Sequence, residues 1–262
     1  MDKKMMNLII KNEIEYIKKF SEAIESENYI KFTDESIPDM YSHNFILLQR
    51  NLSDDEIKKV VTAQIETYKR ENKNYLNVEF NYELNEDTYI DERANQINYI
   101  YMTIDTGKYH LLKENSYCQI KEAITEEILK DGALIDIEVN NDDEDDFAIR
   151  RCNRKQEVYR HRNGVRFFVC YNDNMPVGMC ELFIGDKIAK IEEFDVLKKY
   201  QRKGIGTAII RHLLKICNDA GISRAYVVTS IDDSAKEMYQ KCGFKEVGYK
   251  KDLYYQFDKF DI

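Results

Sequence analysis

Apolar residues recur in steps of three and four near the start of the chain. Ile10, Ile14, Ile17 and Ile24 fall on one stripe with Phe20 beside it, and this spacing predicts an amphipathic helix over residues 7–27. A second helix is predicted from Ser53 to about Arg70. Ser53 is a good N-cap, and Glu56 three positions later completes a capping box. The period then changes to two. Leu76, Val78 and Phe80 alternate with Asn77, Glu79 and Asn81, so Tyr75 to Tyr82 reads as a strand, and Gln96 to Ile104 reads as another. Tyr29 to Phe32 and Phe45 to Leu48 are shorter apolar runs, the first a strand candidate. Asp34 to Tyr41, with Pro38, reads as a turn-rich connection.

The later chain is more regular. Tyr117 to Thr125 reads as a strand, followed by a short helix at about Glu126. The acidic run Asn140 to Asp146 reads as an exposed loop leading into a helix near residues 144–163. Val165 to Tyr171 and Val177 to Ile184 form a predicted hairpin, because Asn172-Asp173-Asn174-Met175-Pro176 between them is turn chemistry. Next come a strand from Ile188 to Val196, a helix from Ile205 to Ala220, a strand from Arg224 to Ser230, a helix from Ser234 to Lys241, and two closing strands.

The two parts differ in composition. Residues 1–112 hold 21 acidic against 14 basic residues and a single glycine, Gly107, whereas the other nine glycines lie at or after Gly132. We therefore expect two domains, 1–112 and 113–262, with the boundary in Thr106 to Asn115. The acidic first part argues against nucleic-acid binding there and is compatible with a cationic amine as partner. No apolar run reaches membrane-spanning length and no signal peptide is visible, so neither a membrane nor secretion is expected and the chain reads as cytoplasmic. The six cysteines contain no C-x-x-C pair and there are four histidines, so reduced thiols and no metal site are expected. Monomer and homodimer both stay open.

The candidate chemistry lies in Gln201-Arg202-Lys203-Gly204-Ile205-Gly206-Thr207, between a strand and a helix. The first turn of a helix carries backbone N–H groups without intrahelical partners and partial positive charge. Gly204 and Gly206 lack Cβ atoms, so a phosphate can approach the backbone, and Lys198, Lys199, Arg202 and Lys203 add charge around it. A pyrophosphate is the natural guest. A dinucleotide fingerprint fails because Ile209 stands at the third glycine position, and a triphosphate loop fails because Thr207-Ala208 follows Gly206 instead of Lys-Ser/Thr.

The stretch Val196 to Gly206 fits a Gln/Arg-x-x-Gly-x-Gly/Ala pattern after a strand. It resembles motif A of the GCN5-related N-acetyltransferase (GNAT) family. Asp232-x-x-Ala235-x-x-Met238-Tyr239-x-x-x-Gly243-Phe244 resembles a second segment of that family, Asn-x-x-Ala-x-x-Leu-Tyr-x-x-x-Gly-Phe. In this segment Ser234 and Glu237 are expected to cap the helix, and Gly243 to end it in the left-handed conformation.

The resemblance implies an α/β (α+β) class with an acyl-CoA N-acyltransferase fold over residues 113–262. Residues 1–112 would be a smaller α+β domain, either a degenerate copy of that fold or an unrelated cap. It implies acetyl transfer from acetyl-CoA to a primary amine, by direct attack in a ternary complex and with no metal. The acceptor is a small amine, an antibiotic or a protein amine. A non-catalytic acyl-CoA-binding sensor is the alternative. Carried over residue by residue, Tyr239 protonates the departing thiolate. Glu192, on a strand whose broken alternation suggests a bulge, is the candidate base, with Glu193 beside it. The acetyl-CoA contacts are Phe194, Asp195 and Val196 on the strand, then Gln201, Arg202, Lys203, Gly204, Ile205, Gly206 and Thr207 around the pyrophosphate, and Asp232, which replaces the family's asparagine.

Overall fold

The computed structural model of the protein describes residues 3–49, 52–80, 91–140, 146–161 and 163–257. The first part of the chain runs α1 (Lys3–Ile17), β1 (Glu22–Glu25), β2 (Tyr29–Thr33), β3 (Phe45–Leu48), α2 (Asp54–Arg70), β4 (Tyr75–Phe80) and β5 (Asn95–Asp105). The second runs β6 (Cys118–Glu122), α3 (Glu126–Asn140), α4 (Phe147–Arg160), β7 (Val165–Asn172), β8 (Met175–Ile184), β9 (Ala189–Val196), α5 (Ile205–Asp219), β10 (Arg224–Ser230), α6 (Ala235–Lys241) and β11 (Lys245–Gln256). All the strands join one mixed sheet in the order β1-β2-β3-β4-β11-β5-β10-β9-β8-β7-β6.

The sheet contains the same unit twice. β1, β2 and β3 are an antiparallel meander, α2 crosses over, and β4 returns parallel to β3. β7, β8 and β9 are likewise an antiparallel meander, α5 crosses over, and β10 returns parallel to β9. Each unit then lends its last strand to the other. β5 pairs antiparallel with β10, β11 pairs antiparallel with β4, and β5 and β11 pair with each other at the centre. The sheet therefore runs unbroken across residue 112. Ile100, Met102 and Ile104 of β5 pack in one core with Ile205, Ile209 and Leu213 of α5. Ile57 and Val61 of α2 pack on the same face of the sheet with Ile46, Leu48 and Leu253. The opposite face carries α1, α3 and α4.

Several elements differ from expectation for identifiable reasons. α1 stops at Ile17, because Lys19 and Phe20 donate to carbonyls three residues back and the Ser21 hydroxyl donates to the His43 carbonyl. Ile24 matches the helical spacing by coincidence and is exposed in β1. α3 is a full helix of 15 residues, not a short one. Its buried stripe, Leu129, Gly132, Ile135 and Asp136, includes a carboxylate and a glycine, so its apolar period is broken in sequence. The two expected closing strands are one strand of 12 residues, in which Gly248 marks a bulge and not a turn. The acidic run falls mainly on 141–145, and Asn81 and Tyr82 of the predicted strand also lie outside the described residues. The predicted hairpin is present, with Asp173 and Asn174 both at positive φ as a two-residue loop requires.

Candidate active site

The glycine loop delivers an open helix end. Gly204 is the N-cap of α5 at φ 80, no side chain caps the helix, and its first turn holds no acidic residue. Arg202 is also left-handed, at φ 60. Among the described residues, the backbone N–H groups from Arg202 to Thr207 have no hydrogen-bond acceptor, the first helical bond being Ala208 N–H to the Gly204 carbonyl. The loop is pinned from outside: Asn115 Nδ2 donates to the Lys203 carbonyl at 3.1 Å, and Gln201 Nε2 to the Val196 carbonyl at 3.0 Å. Lys199 and Lys203 stand over the Tyr200 ring at 5.4 and 5.2 Å. Gly206 has a second reason to lack a side chain, because a Cβ there would lie 2.8 Å from Met238 Sδ. Such an end is built for an anion.

Beside this loop the sheet splits. β9 and β10 pair only at Ala189 with Ala225 and at Lys190 with Tyr226, and Glu192 to Val196 have no partner on that side. On the other side β9 carries a bulge: Glu192 lies opposite Glu181 and Asp195 opposite Met179, with Glu193 at φ 48 between them. The bulge reverses the alternation. Lys190 and Glu192 face the side of α1, whereas Phe194 turns to the α5 side with its ring 6.2 Å from that of Tyr239. Tyr239 is 5% exposed, lies between Phe194 and Phe244, and its hydroxyl makes no hydrogen bond among the described residues. Burial first, then the Glu192 charge, pushes its pKa up, so it stays protonated at neutral pH. The α6 end forms with Gly243 at φ 94, as its glycine foretells. Ser234, however, does not cap it, and Asp233 Oδ1 instead accepts from Ala235 N–H at 2.9 Å.

On the opposite face from α5, a cavity of about 470 Å³ opens under α1, α4 and the 40–43 loop. Glu192 lines it from β9 and Val228 from β10, one on each side of the split. Glu192 Oε2 forms an ion pair with Lys190 Nζ at 2.9 Å. Burial pushes the Glu192 carboxyl up, and Glu13 and Glu193 add to this against the pull of Lys190. Glu193 is the reverse case. Burial would raise it, but Lys155 at 2.5 Å and Arg151 at 2.9 Å hold it well below the ordinary carboxylate range.

The clamp on Glu193 extends inward. Arg151 also pairs with Asp136. Lys155 also meets the fully buried Glu181 at 3.0 Å, and Glu181 accepts from Tyr16 at 2.6 Å and from Tyr159. Removing one partner would leave a buried charge uncompensated, so this network fixes the bulge firmly. Asp195, next along β9, has its carboxyl pushed up to about 6 by burial and then by Glu193.

The structure thus brings together Glu192, Phe194, Asp195 and Val196 at the split, Tyr239 beside them, and residues 201–207 at the helix end. Asp232 stands apart, exposed in the turn before α6. Among the described residues no hydrogen bond or ion pair links it to the glycine loop. Sequence reasoning missed Lys155 and Glu181. Both were detectable as charges inside apolar patterns: Lys155 on the stripe Ala148, Cys152, Tyr159, and Glu181 within Val177 to Ile184.

Residues 133–244 match the acetyltransferase (GNAT) family. Residues 133–244 are a GNAT-family domain. A relative in Bacillus subtilis (strain 168), the uncharacterized N-acetyltransferase CgeE, is 26% identical over 250 residues, 90% of this chain and 93% of its own. Among solved structures, a conserved protein of unknown function from Staphylococcus epidermidis ATCC 12228 superposes with TM-score 0.77 at 18% identity, covering 91% of this chain and 95% of the other. A GCN5-related N-acetyltransferase from Kribbella flavida does so with TM-score 0.71 at 10% identity, covering 97% of both. Both structural likenesses concern the fold and extend well beyond the GNAT match into the first part of the chain. The protein is an enzyme of acyl transfer. No helix among the described residues is long and apolar enough to cross a membrane.

Proposed function

We propose that the protein is an acetyl-CoA-dependent N-acetyltransferase acting on a primary amine by direct attack in a ternary complex. The observation that carries this reading is the open N-terminus of α5, with the N–H groups of Arg202 to Thr207 unpaired among the described residues, beside a strand that is split and bulged. The helix end holds the pyrophosphate, with Gln201 to Thr207 around it. Phe194, Asp195 and Val196 line the arm that reaches the split, and the unpaired N–H near Val196 meets the charge developing on the thioester oxygen. Asp232 contributes least, since it is not held at the loop. Acetyl-CoA supplies the activated acyl group.

The acceptor enters from the other face, through the cavity under α1. Glu192 lines that cavity beside Lys190, its pKa raised by burial, which suits a base that takes the amine's proton at neutral pH. Tyr239, protonated and on the donor side, gives its proton to the departing thiolate. Residues 1–112 roof the cavity and shape it for a small amine, with neither nucleic acid nor membrane as partner. The described cysteines are all free thiols, in keeping with cytoplasmic work.

The test is thiol release from acetyl-CoA with a panel of small amines. Tyr239→Phe should keep its acetyl-CoA affinity and lose about 100-fold in kcat. Unchanged turnover would make Tyr239 a packing residue, and a folded protein that does not bind acetyl-CoA would remove the enzyme reading altogether.

A further inference from the structure

Lys190 and Tyr226 are the last residues that pair β9 with β10, so they stand where the two strands part. Both are buried, at 5% and 0% exposure, and a third group joins them from the other half of the chain. Glu13 of α1 lies 2.9 Å from Lys190 Nζ and accepts from the Tyr226 hydroxyl at 2.6 Å. Asn12, the residue before it, donates to the same hydroxyl at 3.1 Å, and Gly185 leaves the room that Asn12 occupies. Helix α1 is thus seated at the fork by two adjacent side chains. Glu192 lies two positions beyond Lys190 on the same face of β9 and shares its ammonium, at 2.9 Å.

The charge balance at the fork differs from that one residue further on. Glu193 is met by two cations, Lys155 and Arg151. Glu192 and Glu13 have one between them, the Lys190 ammonium, which also stands over the Tyr16 ring at 4.3 Å. The groups that act on Glu192 or feel its charge are Glu13 and Tyr16 of α1, Lys190 and Glu193 of β9, and Tyr239 of α6. Burial raises the Glu192 carboxyl, Lys190 pulls it down, and Glu13 and then Glu193 push it up again. A carboxylate with cations of its own is held ionised, as Glu193 is. One that must share a single lysine stays able to take a proton.

We infer that Glu13 is a positioning residue for acetyl transfer: by holding Lys190 at the fork it keeps Glu192 from closing an ion pair of its own, so that Glu192 meets the amine able to accept its proton. The inference rests on the proposed role of Glu192 as base. It makes α1, and with it the first part of the chain, a working component of the reaction and not only a roof over the cavity.

The test uses the intact protein and reads Glu192 in two ways. Carbon-13 NMR of labelled glutamate carboxyls, with Glu192 identified by the signal that Glu192→Gln removes, gives its titration midpoint with no acceptor present. The pH profile of kcat/KM, taken with whichever amine of the panel is turned over, gives it in the reaction. Glu13→Gln keeps an acceptor for Tyr226 and removes the competing charge, so both midpoints should fall by about one pH unit. Glu13→Asp should return most of that shift. Lys190→Gln should move both midpoints the other way. If it fails to fold, Glu13→Gln carries the comparison, at a side chain that is 22% exposed. An NMR midpoint that stays or rises in folded Glu13→Gln would overturn the inference and leave Glu13 an anchor for α1, with the acetyltransferase reading intact. An NMR midpoint that falls while the kinetic limb stays in place would instead remove Glu192 as the base, and the role of Glu13 with it.

Discussion

The two crossover helices, α2 and α5, occupy equivalent places in the repeated unit and present opposite N-termini. α2 is closed by its own residues. Ser53 Oγ accepts from Glu56 N–H, the Glu56 carboxylate accepts from Ser53 N–H at 2.7 Å, and Asp54 and Asp55 add negative charge. α5 has Gly204 where α2 has Ser53 and Thr207 where α2 has Glu56, and no side chain among the described residues closes it. The strands beside them differ in the same sense. β3 and β4 pair at Ile46, Leu47 and Leu48, to the last residue of β3, and their apolar side chains fill the core, whereas β9 leaves β10 after two pairs. One unit keeps the sheet sealed and the helix capped, which favours stability. The other leaves both open, which favours an anionic ligand. The difference rests on a few residues at one turn, and not on topology.

Importing the α2 solution into α5 is the sharpest way to break the contrast. Thr207→Glu places a carboxylate at the position equivalent to Glu56, where the pyrophosphate is proposed to sit. It should weaken acetyl-CoA binding by about 100-fold in a calorimetric titration while leaving the melting temperature near wild type. Undiminished affinity would mean that the phosphates bind elsewhere.

A smaller effect is expected at the split. Glu192 acts as a base only when ionised, and its pKa is raised by burial, so kcat/KM should climb with pH through a value above the ordinary carboxylate range. Glu192→Gln should lower kcat/KM by about 10-fold or more and abolish that limb in a pH–rate profile. A limb that persists in the variant would assign the base to another group.

Smaller again is the cost of openness at Asp195. Its carboxyl is pushed up to about 6, by burial and then by Glu193, so the fold opposes its ionisation. The stability it contributes is full below the ordinary carboxylate pKa and is lost as pH rises through 6. Asp195→Asn should therefore exceed wild type by roughly 1–2 kcal/mol in urea unfolding at pH 8, with the gap closing towards pH 4. The smallest effect belongs to the closed helix: Ser53→Ala should cost about 1 kcal/mol of stability and leave acetyl-CoA binding unchanged.

What the sequence made legible is what local chemistry determines. The capping box of α2, the hairpin turn within Asn172 to Pro176, the glycine loop before α5 and the bulge on β9 each follow from a few adjacent residues, and each stands where those residues place it. What stayed hidden is non-local. Nothing in Asn95 to Asp105 says that this strand pairs with Arg224 to Ser230, and its place there is why the chain needs only one closing strand. The charge clusters are hidden for the same reason. Glu13, Lys190 and Glu192 come from α1 and β9, and Glu79, Lys250 and Asp252 from β4 and β11. Each reads singly as a solvated side chain until the sheet brings its partners together.

The measurement that tests the account most directly is amide hydrogen exchange of the intact protein with and without acetyl-CoA. The account predicts that acetyl-CoA slows exchange at Arg202 to Thr207, whose N–H groups have no acceptor among the described residues, and leaves Ser53 to Glu56 unchanged. Protection that appears at the α2 end, or at neither helix end while acetyl-CoA is bound, would contradict it.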